Sequence, residues 1–139
     1  MTNTARVLVM MGSESDRPRL EKGIEVLRER GVDVQVEVSS AHRQPARTAE
    51  LASGADAAGF GVIICGAGLS AALPGVVASH TRLPVIGVPV SAGTLGGLDA
   101  LLAIAQMPPG VPVAAVGIDN SRNAAHLALR ILGLAETPS

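Results

Sequence analysis

Short apolar runs alternate with longer amphipathic stretches along the whole chain. "RVLVMM", "DVQVEV", "GVIICG", "PVIGVPV" and "VPVAAVGI" read as five strands. "RPRLEKGIEVLRERG", "PARTAELASGADAAG", "LSAALPGVVASH", "LGGLDALLAIAQM" and "NAAHLALRILG" read as the helices that follow them. Strands buried on both faces lose the polar alternation of half-exposed ones, so near-continuous Val, Ile and Leu predict a parallel sheet covered by helices on both sides. In the first helix Leu20, Ile24 and Leu27 fall on one stripe; Ser15 and Asp16 are available to cap its start, Pro18 suits its first turn and Gly31 closes it.

Five βα units with short, right-handed crossovers predict an α/β, flavodoxin-like three-layer sandwich with strand order 2-1-3-4-5. That topology has a consequence before any motif is considered. Ligands bind beyond the carboxyl ends of the strands, where neighbouring connections diverge between strands 1 and 3. The loops to inspect are therefore "GSESD" (12–16), "SSAHR" (39–43) and "GAGLSAALPG" (66–75).

In the first loop, Gly12 allows close backbone approach to a ligand and Ser13 supplies a hydroxyl beside the free N–H groups of a helix start. Taken alone, Ser13, Ser15 and Asp16 read as simple helix capping; a working Asp16 would accept from ligand hydroxyls such as a ribose diol, because it would repel a phosphate. In the second loop His42 suits proton transfer, with an imidazole pKa of about 6.5, and the planar fork of Arg43 suits a phosphate. In the third, Gly66, Gly68 and Ala71 match G-x-G-x-x-A formally. The match follows the wrong strand and lacks the acidic residue expected about 20 positions on, so the small residues read instead as a backbone wall against a ligand.

The 139 residues fit one domain, 1–139, with a frayed tail from about 134. A net charge of -1 offers no electrostatic reason for nucleic acid or an anionic membrane, and a single aromatic residue, Phe60, gives no support for a base-stacking platform. The apolar run after the N-terminus spans only Val7 to Met11, so neither a signal peptide nor a membrane span is expected there. One cysteine, Cys65, excludes an internal disulfide and suits a reducing cytoplasm. No metal-ligand spacing, Walker motif or nucleophile elbow is present. Lys22 reads as solvent-facing, His80 as a helix C-terminal cation, His126 as helix surface or subunit contact, and Cys65 as a small core residue. Asp99 is placed to cap or orient the fourth helix, and "QMPPGVPV" (106–113) to reach the pocket rim or a neighbouring subunit.

"MGSESD", "SSAHRQP", "GAG...ALPGVVA", "LPVIGVPV" and "GGLDALLAIAQMPPGVPVAAVGI" together resemble the N5-carboxyaminoimidazole ribonucleotide mutase family (AIR carboxylase family) of purine biosynthesis, from about Arg6 to Leu134. The resemblance implies a flavodoxin-like fold, a cytoplasmic homo-octamer, no metal or cofactor, and an aminoimidazole ribonucleotide substrate with carbon dioxide held in the pocket. It implies His42 as the general acid/base, Arg43 as the phosphate ligand, and Ser13 and Asp16 at the ribose and phosphate. Gly12, Ser40 and Ala41 would contact substrate, while Ala67, Gly68 and Ser70 would line the imidazole and carboxylate. In bacterial mutases the third loop carries a histidine where this chain has Ala72. That departure keeps a carboxylase or decarboxylase using free carbon dioxide in view, beside a nucleotide-binding module without chemistry.

Overall fold

The computed structural model describes residues 5–135. Five strands, β1 (Arg6–Met11), β2 (Asp33–Val38), β3 (Val62–Gly68), β4 (Val85–Val90) and β5 (Ala114–Ala115), form one parallel sheet in the order β2-β1-β3-β4-β5. The helices are α1 (Arg17–Glu29), α2 (Pro45–Gly54), α3 (Leu73–Ser79), α4 (Leu98–Ala105) and α5 (Ser121–Ile131). The strand order is the one the βα pattern predicts.

Period-two alternation inside the apolar runs divides the core between the two faces of the sheet. Val7, Val9 and Met11 of β1 join Leu20, Ile24 and Leu27 of α1 and Ala124, Ala128 and Leu129 of α5. Leu8 and Met10 point the other way, into a second cluster with Ile63, Cys65, Leu73, Val77 and Ile104. Where α1 crosses α5, the Gly23 N–H donates to Ser121 Oγ at 3.1 Å, and a Cβ on Gly23 would lie 2.4 Å from the Ser121 carbonyl oxygen. Glycine is required there for the two backbones to meet.

β5 is shorter than the run "VPVAAVGI" suggests. Pro89 of β4 turns its carbonyl toward this edge, where it accepts from the Asp119 N–H at 2.7 Å, but its ring nitrogen has no hydrogen to return. Pairing therefore stops after Ala114 and Ala115, both exposed. β3 runs further than expected: Gly66, Ala67 and Gly68 pair with Val88, Pro89 and Val90, so they are strand end and not loop. The expected frayed tail also needs correction at its first residue, since Leu134 packs on the core and its N–H donates to Leu129 O at 2.8 Å. Residues 136–139 of that tail lie outside the described residues.

Candidate functional site

Parallel register brings the carboxyl ends of β1, β2 and β3 level. Met11 is the register partner of both Val38 and Gly66, so the three following segments emerge side by side. After β1 the chain passes Gly12, whose N–H donates to Gly66 O at 3.3 Å, and enters a single 3-10 turn, Glu14–Asp16. Ser13 caps this turn, accepting from the Ser15 N–H at 3.3 Å. Asp16 occupies the N-cap position of α1 without a capping hydrogen bond from its side chain. Of the three residues read as helix caps, only Ser13 caps with its side chain, and it caps the inserted 3-10 turn; α1 itself starts without a side-chain cap. The Asp16 carboxyl is half-buried, and that burial, more than the opposing hydrogen bond at Ser13, raises its pKa above the ordinary aspartate value.

After β2, the Ser39 N–H donates to Met11 O at 2.9 Å, and its hydroxyl lies 2.7 Å from Thr48 Oγ1 of α2. Both side chains are fully buried. Ser40 Oγ then accepts from the Arg43 N–H at 3.2 Å, and the Gln44 N–H donates back to Ser40 O at 2.7 Å. Pro45 follows as the first residue of α2, where its missing N–H costs nothing. These bonds hold the backbone of 40–44 as a tight turn. The side chains of His42 and Arg43 are exposed and make no hydrogen bond or ion pair among the described residues, so both are available to a ligand.

The β3 end forms the opposite wall. A Cβ on Gly68 would lie 3.2 Å from both Ala92 Cβ and Val90 O, and one on Gly66 would lie 2.7 Å from Leu20 Cδ1. Side chains at either position would push into neighbours. Beyond them Leu69 adopts a left-handed conformation (φ 55°) that turns the chain into 70–72 and α3.

The three walls enclose a cavity of about 360 Å³. Gly12, Ser13 and Asp16 line one side; Ser40, Ala41, His42 and Arg43 a second; Ala67, Gly68 and Ser70 the third. All ten residues singled out from the sequence therefore face one space, although they span 59 positions of chain from Gly12 to Ser70. Leu69, Ala72 and Ala92 also line it, and Ala92 had no sequence signal because it arrives from the loop after β4. The buried Ser39–Thr48 pair was likewise invisible, since nothing local announces that two hydroxyls nine residues apart will meet.

The other titratable residues fall elsewhere. Cys65 is completely buried in the second core cluster, and desolvation pushes its thiol pKa well up, which makes it unreactive. His80 is the exposed C-cap of α3, and His126 and Lys22 are exposed on α5 and α1. Asp99 lies in the first turn of α4 but does not cap it; the N-cap is Gly97, with φ 98°. Among the described residues no group of three metal-ligating side chains occurs, and no helix is long and apolar enough to cross a membrane.

The family model for AIR carboxylase matches residues 6–138. The chain is 54% identical over 129 residues to the N5-carboxyaminoimidazole ribonucleotide mutase of Thermotoga maritima, covering 93% of this chain and 75% of that protein. It is 53% identical over 125 residues to the phosphoribosylaminoimidazole carboxylase of Candida albicans, a match covering 90% of this chain and 22% of that protein. Among solved structures, Treponema denticola PurE superimposes with a TM-score of 0.84 at 29% identity, covering 95% of this chain and 82% of that one.

Proposed function

The chain belongs to the AIR carboxylase family, and from that premise we propose that it converts N5-carboxyaminoimidazole ribonucleotide to 4-carboxy-5-aminoimidazole ribonucleotide in purine biosynthesis. The observation that carries the reading is the convergence of His42, Arg43, Asp16 and the glycine-rich end of β3 on one cavity. Arg43 holds the phosphate through paired charged hydrogen bonds, and Ser13 and Asp16 meet the ribose and phosphate. Gly12, Ser40 and Ala41 contact the substrate through backbone and hydroxyl, while Ala67, Gly68 and Ser70 wall the imidazole and its carboxylate.

His42 carries the proton through both halves of the reaction. Protonated, it donates to the exocyclic nitrogen as the N–C bond to the carboxylate breaks and carbon dioxide leaves. Carbon 4 of the ring then attacks the retained carbon dioxide, and the neutral imidazole removes the proton from that carbon. One proton leaves the histidine and one returns, so the cycle closes without a cofactor or an outside base. The narrow backbone wall serves this chemistry by holding carbon dioxide beside the ring between the two steps.

A related reading rests on one specific residue. Ala72 lines the cavity with a methyl group where the resemblance to bacterial mutases implies a histidine, and a pocket that releases carbon dioxide would act as a carboxylase or decarboxylase on the same ring. Purified protein given freshly prepared N5-carboxylated ribonucleotide in the presence of labelled bicarbonate separates the two. Formation of unlabelled 4-carboxylated product is the expected result. Rapid label incorporation, or net loss of carboxylate from the 4-carboxylated compound, would assign the carboxylase reaction instead, and binding of either compound without turnover would leave a nucleotide-binding module. On the same reading the protein acts in the cytoplasm as a homo-octamer.

A further inference from the structure

Asp99 is a carboxylate without a partner. Its side chain makes no hydrogen bond or ion pair among the described residues, and Oδ1 is the one buried side-chain nitrogen or oxygen there that lacks a partner. Desolvating an acceptor without bonding it is costly, and groups left so in a native structure call for a reason. The positive end of α4 offsets part of the cost but supplies no donor to the side chain. Nor is the placement accidental. Gly97 must be left-handed to start α4, and a Cβ there would lie 2.7 Å from Ile118 Cγ2, so the backbone before Asp99 is tightly constrained.

Asp99 lines a second cavity, of about 440 Å³, that shares His42, Ser70 and Ala72 with the first. The two spaces adjoin, with His42 at their common boundary. Arg43 lines the first and not the second; Asp99 lines the second and not the first. Much of the remaining wall of the second cavity is apolar, including Gly75, Ala103 and Met107. A ligand that spans both meets a guanidinium at one end and a hydrogen-bond acceptor at the other, so an anion toward Arg43 and an N–H toward Asp99 match the two walls.

The aminoimidazole ribonucleotide formed once carbon dioxide has left the nitrogen has that polarity: a phosphate at one end and a free exocyclic amine on the ring at the other. Resting on the substrate reading above, we infer that Asp99 accepts a hydrogen bond from this amine and selects for a ring that bears one. No proton changes hands at Asp99. The N–H to carboxylate hydrogen bond leaves more electron density on the nitrogen, which is conjugated with carbon 4, and so makes that carbon a better nucleophile toward carbon dioxide. Asp99 is thus a specificity-determining acceptor for the same site at which His42 moves the proton.

The test compares two ligands on three proteins by calorimetry at one pH: aminoimidazole ribonucleotide and the imidazole ribonucleotide lacking the amine, on wild type, Asp99→Ala and Asp99→Asn. Wild type should prefer the amino compound by about 10- to 100-fold, as expected for a hydrogen bond to a charged acceptor. Asp99→Ala should bring the ratio near one, mainly by weakening the amino compound, and the same-sized Asp99→Asn should lower the ratio too. A preference that persists in both variants, with native melting curves, overturns the role of Asp99. Failure of wild type to bind either ribonucleotide would instead overturn the substrate reading itself.

Discussion

Ser39 Oγ and Thr48 Oγ1 lie 2.7 Å apart, both completely buried, and tie the residue after β2 to the first turns of α2, bracketing the turn that carries His42 and Arg43. Thr48→Val keeps the shape of the side chain but leaves the Ser39 hydroxyl buried and unpaired. It should cost about 1–3 kcal/mol in chemical denaturation. The double variant Ser39→Ala with Thr48→Val removes both polar groups and should cost less than the sum of the single changes. Strict additivity in the double-mutant cycle would show that the pair does not hold the turn.

His42 makes no structural hydrogen bond, so replacing it should separate chemistry from binding. His42→Asn is expected to lower turnover by at least about 10²- to 10⁴-fold while leaving nucleotide affinity nearly unchanged. Steady-state rates with calorimetric affinities on the same preparation decide this, and a parallel loss of both would remove the acid/base assignment.

Arg43 has no partner of its own to lose, which makes its replacement a direct reading of the ligand's charge. Arg43→Ala should weaken binding of the phosphorylated ligand by about 1.5–3 kcal/mol and that of its dephosphorylated nucleoside far less. Equal losses for the two ligands would place the phosphate elsewhere.

Burial raises the pKa of Asp16 in the folded protein, so the ionised carboxylate is penalised by folding. The unfolded chain gives up that proton more readily, and stability falls as pH rises from the ordinary aspartate pKa through the raised folded one. Asp16→Asn should therefore melt higher than wild type at neutral pH, with the difference closing as pH is lowered through that interval. The same variant should bind ribonucleotide more weakly. A melting difference that grows toward acid pH would contradict the sign.

Gly23→Ala tests the crossing of α1 and α5. The added methyl would meet the Ser121 carbonyl oxygen and carbon at 2.4 and 2.8 Å, backbone atoms that cannot rotate away. Overpacking of this kind typically costs about 1–3 kcal/mol, which outweighs the gain of about 1 kcal/mol in helix propensity. Denaturant midpoints should fall accordingly, with no change in ribonucleotide affinity if the site is held by the loops alone.

What the sequence determined by itself was the part written in local periodicity and in topology. Apolar runs such as "RVLVMM" and "GVIICG" mark strands covered on both faces, and five βα units leave few ways to order them, so the carboxyl-end crevice and its three loops were legible before any coordinates, while Ser40, Ala41, Ala67 and Ser70 were singled out by the family resemblance. The length of β5 was not, because it depends on the missing N–H of Pro89 in the neighbouring strand. Capping was legible for Ser13, Ser15 and Asp16 alike; that Ser13 is the one that caps depended on a 3-10 turn that no pattern distinguishes from a first helical turn. The Ser39–Thr48 bond, the arrival of Ala92 at the cavity and the unpartnered Asp99 were decided by tertiary structure alone. A side chain's partner, or its lack of one, is set by which distant segment packs beside it, and periodicity along the chain carries no record of that.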